Sequence, residues 1–363
     1  MRQIHVAKSA IENATLAESD TPPLAPDSVR LALESFSVTA NNVTYAVVGD
    51  GFGYWNFFPP TSADGADTGI VPVWGHARVI ESDHAEFAVG ERVYGYLPMA
   101  SHLDVVPDKV TRGGFIDAAP HRQPMSPIYN QYSRLAADPE HDPEREGERM
   151  LFGPLFKTGF LIESFFRAEN WFGAGVMVMT SASSKTAMGL ASVAKHRSQK
   201  VRRIGLTSAG NVAFTEATGL YDEVLDYDAV ASLPTEPCVT VDFAGNGAVL
   251  AQLHHHLGDA LKYSCLVGAT HVEARGSGMG AARDLPGPKP IMFFAPDHAV
   301  AAVKALGPKG FGMELAESWH AFLADLGDSV AIERRSGLEQ ARHTFAAMVR
   351  GEVDPATGII IEP

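Results

Sequence analysis

From about residue 175 onward, short apolar runs alternate with helix-patterned stretches, and this rhythm leaves the chain few architectures. The runs are GVMVMT (175–180), RRIGLTS (202–208), EVLDYD (223–228), CVTVDFAG (238–245), KYSCLVGAT (262–270) and IMFFAP (291–296). Between them lie helical patterns over 186–196, over 211–220 and in GAVLAQLHHHLG. Strand and helix in such alternation predict an α/β fold, a doubly wound parallel sheet with helices on both faces. A sheet of this kind binds its ligand at the carboxyl ends of its strands, where strand order reverses.

Residues 1–115 read differently. SVRLALESFSVT (28–39) alternates apolar and polar positions as a half-buried strand does, and ARVIESDHAEFAVGERVYGYLP (77–98) reads as strand, turn, strand. Residues 59–69 are turn-forming and polar, so a surface loop is expected there. AADPEHDPEREGER (136–149) is charged, with two prolines and no apolar period, and predicts an exposed linker or insertion. The last 35 residues predict a strand, an amphipathic helix and a final strand that returns to the first domain. The expected division is a β-rich substrate domain over 1–135 and 327–363, and a cofactor domain over 136–326.

Composition sets outer limits. The formal net charge is −14 and no basic stretch accumulates, which argues against a nucleic-acid binder. Apolar runs are strand-sized and the N-terminus lacks the apolar centre of a signal peptide, so no membrane partner is expected. Two cysteines, Cys238 and Cys265, fit a reducing cytoplasm.

MTSASSKTAMGLA (179–191) follows the first strand of the alternating region, where a dinucleotide's pyrophosphate rests on a helix N-terminus. Glycine is favoured in such loops because the turn is tight and the backbone approaches phosphate closely. Here Ser181, Ser183, Ser184, Lys185 and Thr186 stand instead, with Gly189 a turn further on. Small side chains keep the approach close, and the hydroxyls and Lys185 are candidate phosphate contacts. The competing assignment is a serine or threonine cap on a structural helix. At the second strand end, NAD-preferring folds carry an acid for the ribose hydroxyl. This chain has LTSAGN, with Thr207, Ser208 and Asn211 and no carboxylate, which predicts NADP. Lys200, Arg202 and Arg203 lie just upstream, near a 2′-phosphate if the chain bends, or else facing solvent as helix caps.

On these residues the chain resembles the medium-chain dehydrogenase/reductase superfamily, on its zinc-free quinone-reductase and enoyl-reductase side. ARVIESDHAEFAVGERVYGYLPMASHLDVVPDKV is similar to that family's strand, turn and strand; VMVMTSASSKTAMGLASVAK resembles its nucleotide loop and helix. ATGLYDEVLDYD, VTVDFAGNGAVLAQLHHHLG and GLEQARHTFAAMVRGEVDPATGIIIEP resemble the segments that follow. The resemblance implies a Rossmann-type cofactor domain beside a GroES-like catalytic domain, NADP as cofactor, a small apolar substrate and a homodimer. In SFSVTANNVTYAVVGD, Asn42 stands where relatives carry an aspartate and Thr39 where they carry an asparagine. Tyr45 and Tyr54 are near, and a tyrosine of this loop serves as proton donor in enoyl reductases; packing beside FGYWNFF is the alternative for both. Trp55, Phe57 and Phe58 suit an apolar wall or the core. Asn246 and residues Gly268 to Thr270 follow strand ends near the nicotinamide position the topology implies.

Metal is not expected. Counted back from ARV, the position of the family's zinc-binding histidine is Val73, not His76, and both cysteines lie on cofactor-domain strands. His254, His255 and His256 are adjacent on a helix, so they point apart and are expected at the surface. The sequence therefore predicts a zinc-independent NADPH-dependent reductase of an activated double bond or quinone. Its rivals are a zinc-free alcohol or ketone reductase and a non-catalytic nucleotide-binding module.

Overall fold

The computed structural model describes residues 1–61, 67–267 and 285–363. The chain forms two compact units, Met1–Leu151 with Ala331–Pro363, and Phe152–Val330. In the first, the alternating stretch becomes the ten-residue strand Val29–Val38. It pairs antiparallel with Pro72–Ser82, His102–Val105 and the closing strand Thr357–Glu362, which sets Ile360 opposite Ser37. Arg92–Pro98, Gln131–Arg134 and Gly114–Asp117 extend the sheet beyond Pro72–Ser82. Ile4, Val29, Leu31, Phe36, Val79, Val93 and Phe345 fill its core.

Residues 136–149 are not an exposed linker. The helix Glu146–Ala168 starts among them. Arg149 and Asp138 pair at 2.6 Å with each side chain only 3% exposed, and Glu146 takes a two-pronged contact from Arg92. A charge run read in one dimension looks solvated; here its members find opposite charges in three.

The second unit carries the alternating rhythm as drawn. Its strands lie in the order Glu223–Asp226, Arg202–Thr207, Val176–Met179, Cys238–Asp242, Leu261–Leu266 and Ile291–Met292, and every neighbouring pair is parallel. Strand order reverses between Val176–Met179 and Cys238–Asp242, which fixes where a ligand crevice opens. IMFFAP gives only a two-residue strand, because Ala295–Leu326 turns helical with a proline in its first turn.

The helix Lys185–Arg197 buries eight consecutive residues, Ala187 to Ala194. It crosses Glu146–Ala168 with no side chain between the backbones. A Cβ on Gly159 would lie 2.6 Å from the Leu190 nitrogen, and one on Gly189 would lie 3.1 Å from Phe156 Cα. Gly189 therefore serves the helix crossing rather than a phosphate. Among the described residues no helix is long and apolar enough to cross a membrane.

Candidate functional site

Residues 180–184 leave the first strand at the reversal point. Thr180 donates its hydroxyl to Asp242 Oδ1 and accepts from the Phe243 and Ala244 amides at 3.0 and 3.2 Å. Both side chains are buried, so the bond ties together the carboxyl ends of the two strands flanking the crevice. Ser181 adopts φ +48, a left-handed conformation that glycine enters freely and serine does not. Its amide donates to the Tyr227 hydroxyl at 2.9 Å, which holds the turn. Ala182 supplies the close approach: a Cβ added to Gly205 on the next strand would sit 2.8 Å from that of Ala182. Tyr221 closes this corner, donating to the Ala182 carbonyl at 2.7 Å.

Three residues singled out in the sequence meet at one point. The Ser183 hydroxyl lies 3.2 Å from both Thr207 Oγ1 and Asn211 Nδ2. Ser184 caps the helix, accepting from the Ala187 amide at 3.3 Å, so the capping role is real. Lys185 and Thr186 begin that helix, and the Lys185 ammonium stands 5.8 Å from the Phe152 ring centre. Ser208 precedes the short turn Ala209–Asn211. Asn246 caps Gly247–Leu257, accepting from the Ala248 and Val249 amides. Gly268 and Thr270 lie outside the described residues.

The bend proposed for Lys200, Arg202 and Arg203 does not occur. All three sit at the amino end of Arg202–Thr207, while Thr207 and Asn211 lie at its carboxyl end. Arg203 pairs with Asp222 at 2.7 Å and Arg202 with Glu223. A carboxylate does stand beside the second strand end, since Asp226 is in register with Thr207. It is committed to capping, accepting from the Asp228 and Ala229 amides. Tyr221, Tyr227 and Asp226 escaped sequence reading because each acts from a neighbouring strand end.

In the first unit, Thr39 and Asn42 open the helix Ala40–Val47 as a reciprocal cap. Asn42 Oδ1 accepts from the Thr39 amide at 2.6 Å and its Nδ2 donates to the Pro72 carbonyl at 2.8 Å. The Tyr45 hydroxyl, buried, accepts from Asn41 Nδ2 at 2.7 Å and from the Trp74 indole at 3.1 Å. Tyr54 is only half-buried and shares a 2.9 Å hydrogen bond with Tyr129. Burial raises both phenols above their usual range, and for Tyr54 the Tyr129 contact opposes the rise. Tyr129 is fixed in turn: Arg122, fully buried, donates to its carbonyl at 2.6 Å and to Asp117 at 2.8 Å. Trp55, Phe57 and Phe58 are buried in the core, with Phe57 5.1 Å from the Tyr96 ring.

His76 is wholly buried in Pro72–Ser82, and neither ring nitrogen has a hydrogen-bond partner among the described residues. Burial drives its pKa down to about 3. Cys238 and Cys265 are free and buried, and desolvation raises both thiols. The histidine triplet divides. His254 is buried between the Pro286 carbonyl and the Ser264 hydroxyl, contrary to its expected exposure, and His256 meets the Leu233 carbonyl at 2.8 Å.

Among protein families, the sequence profile described as "Protein of unknown function (DUF2855)" matches residues 36–354. No curated protein matches the sequence. Solved structures match in fold across almost the whole chain. The quinone oxidoreductase of Pseudomonas syringae pv. Tomato shares 15% identity and a TM-score of 0.61, over 100% of this chain and 99% of its own. CurA from Vibrio vulnificus, in complex with NADPH, shares 17% with a TM-score of 0.58, over 100% and 99%. The yhdH oxidoreductase of Salmonella enterica, in complex with NADP, shares 12% with a TM-score of 0.54, over 100% of both chains. The quinone-reductase and enoyl-reductase resemblance read from the sequence is thus met at the level of fold.

The state of His76 has a measurable consequence. Its ring stays neutral in the fold down to about pH 3, but takes a proton near its ordinary value of 6.5 when unfolded. The stability this neutrality contributes is complete above about pH 6.5 and is lost as pH falls toward 3. One proton limits the slope to about 1.4 kcal/mol per pH unit. His76→Phe should flatten the decline in thermal stability between pH 6.5 and 4.5, a window above the ordinary carboxylate range. Parallel slopes in variant and wild type would contradict the assignment.

Proposed function

We propose that this chain, which belongs to the DUF2855 family, is a zinc-independent NADPH-dependent reductase acting on an activated double bond or a quinone. One observation carries the reading: at the reversal point of a doubly wound sheet, Ser183, Thr207 and Asn211 converge beside the capped start of a buried helix. That cluster offers hydroxyl and amide groups where a dinucleotide's pyrophosphate and adenosine ribose rest in such folds. Two of the fold relatives were crystallised with NADPH or NADP. Zinc independence rests on residue chemistry, with Val73 at the family's histidine position and both thiols raised by burial.

Bound NADPH would supply the hydride; the chain's own residues must then bind, orient and protonate. Ser181, Ser183, Ser184, Lys185 and Thr186 are assigned to the pyrophosphate, Thr207, Ser208 and Asn211 to the adenosine ribose, and Asn246 to the nicotinamide side. Tyr54 is the proposed proton donor, because burial keeps its phenol protonated and its hydroxyl meets another hydroxyl, that of Tyr129. Tyr45 already accepts two donors and Asn42 is held in a helix cap, so we assign both to supporting that loop. A cytoplasmic address rests on the two free cysteines. The homodimer rests on the outermost described strand, where Ile291 and Met292 are 49% and 56% exposed; a monomer in analytical ultracentrifugation at micromolar concentration would remove it.

With a conjugated enone, the saturated ketone is the expected product, and an allylic alcohol would establish the carbonyl-reductase rival instead. Tyr54→Phe should lower turnover by roughly 10²- to 10⁴-fold while leaving NADPH affinity intact. A loss below about threefold would return Tyr54 to the aromatic packing and shift suspicion to Tyr45.

The cofactor assignment is tested by calorimetry. NADPH should bind more tightly than NADH, since Asp226 is engaged by two amides. Charge-assisted contacts contribute about 1.5–3 kcal/mol, so Lys185→Ala should weaken NADPH binding roughly ten- to a hundredfold. Unchanged affinity in that variant, or a preference for NADH, would defeat the assignment. No NADPH oxidation with any electrophilic acceptor would favour the non-catalytic binding module.

A further inference from the structure

A groove of about 580 Å³ opens on the second unit, bordered by Gly175 and Val201. These residues precede the strands Val176–Met179 and Arg202–Thr207, so the groove lies at the amino end of the sheet, opposite the 180–184 loop. The 13-residue helix Lys185–Arg197 separates the two ends, about 20 Å at about 1.5 Å per residue. Small-molecule sites occupy roughly 300–1,000 Å³, and this groove falls within that range.

Its wall has an unusual charge. Arg167, His196, Arg197 and Lys200 line it, with no aspartate or glutamate among the described residues of the wall, although the chain carries 43 acids against 29 lysines and arginines. A helix C-terminus attracts cations, and that accounts for Lys195 and His196, which bind Asp325 at 2.8 and 2.9 Å. Arg167 and Arg197 stand in last turns as well, and a buried charge holds them there besides. Both converge on one wholly buried carboxylate, Glu163, at 3.2 and 3.5 Å. Arg197 also meets Glu314 at 2.7 Å, yet its Nη1 is buried without a hydrogen-bond partner. Lys200 is exposed beside them.

The backbone supplies an independent sign. Asn170, Trp171, Phe172 and Gly173 follow one another at φ 47, 52, 54 and 76. Three of the six non-glycine residues with positive φ among the described residues thus form one turn in the groove wall. Bulky aromatics avoid this region, and such a run persists only where its surroundings hold it. Here the Trp171 indole donates to the Ser198 hydroxyl at 3.1 Å, Ser198 donates to Glu163 at 2.8 Å, and Phe172 stacks on Tyr263 at 4.4 Å. The strained turn and the arginine pair are therefore one construction, built around the buried Glu163. Backbone strain concentrates at ligand clamps.

We propose that this groove binds a small phosphorylated anion, with Arg167 and Lys200 as its cationic contacts and Arg197 tied to Glu163 and Glu314 beside them. Set against Glu163 and Glu314, the charges of Arg167, Arg197 and Lys200 leave a positive surplus that suits an anion, and guanidinium forks match phosphate oxygens. The proposal stands apart from the reductase reading and uses none of its residues.

Calorimetry with inorganic pyrophosphate, and separately with inorganic phosphate, tests it on the whole chain. With the nucleotide site filled by saturating NADPH, one saturable event is expected, weakened about tenfold or more by Arg167→Ala and by Lys200→Ala. Lys200 is exposed, so that variant reads binding even if removing Arg167 from buried Glu163 disturbs the fold. Saturating NADPH should leave this event in place, because the groove uses none of residues 180–186. Absence of saturable binding in the presence of NADPH would overturn the proposal, as would groove variants that bind like wild type.

Discussion

The second unit depends on a hydroxyl meeting a buried carboxylate. Thr180 and Asp242 end the two strands between which the sheet reverses, and their bond fixes how far apart those strand ends stand. Asp242 also accepts from the Ala244 and Gly245 amides, so its charge is shared among donors rather than left in apolar surroundings. An unpaired buried carboxylate would cost several kcal/mol. With Asp242 satisfied from the loop side, the backbone from Thr180 to Ser184 has one way to leave the strand. Every group in the candidate nucleotide site inherits its position from that exit.

Loss of the glycines from this loop shifts the constraint elsewhere without removing it. A tight turn still needs a positive φ, and Ser181 provides it at a cost of about 1–2 kcal/mol relative to glycine. The Tyr227 hydroxyl, bonded to the Ser181 amide, offsets that cost locally. Close backbone approach still needs small residues, and the pair Ala182 and Gly205 provides it between loop and neighbouring strand. Phosphate loops are often described by glycine spacing, but the physical requirements are a turn, an approach and a helix start. This chain meets them with a strained serine, an alanine facing a glycine, and a capping serine.

How much of this was legible in the sequence follows from the range of each interaction. Strands and helices of the second unit were readable because apolar periodicity is a local property, and Val176–Met179, Lys185–Arg197 and Cys238–Asp242 lie where the pattern placed them. The convergence of Ser183, Thr207 and Asn211 was half-readable: their types and strand-end positions were visible, but not their meeting. Partnerships across strands were not readable. Asp226 lies nineteen residues beyond Thr207 in sequence and beside it in register, so a search for an acid after the second strand passes over it. The 136–149 segment failed for the same reason. Its charges resemble a solvated run until Arg92, far upstream, is brought against Glu146.

The same physics governs the tyrosines of the first unit. Its aromatic positions cluster so densely that composition alone cannot separate a donor from a packing ring. Hydrogen bonding distinguishes their surroundings. Tyr45 receives two donors and is sealed, whereas Tyr54 faces one other hydroxyl and keeps partial exposure. What holds Tyr129 opposite Tyr54 is Arg122, a buried cation matched by Asp117, Asn130 and the Tyr132 hydroxyl. Such a cation is costly unless every donor is used, and here all three guanidinium nitrogens have partners. A satisfied arginine of this kind has a single arrangement available to it, and the carbonyl it grips fixes Tyr129 in turn. The position of the Tyr54 phenol is thus set by an ion pair that touches neither Tyr54 nor its hydroxyl partner's ring oxygen.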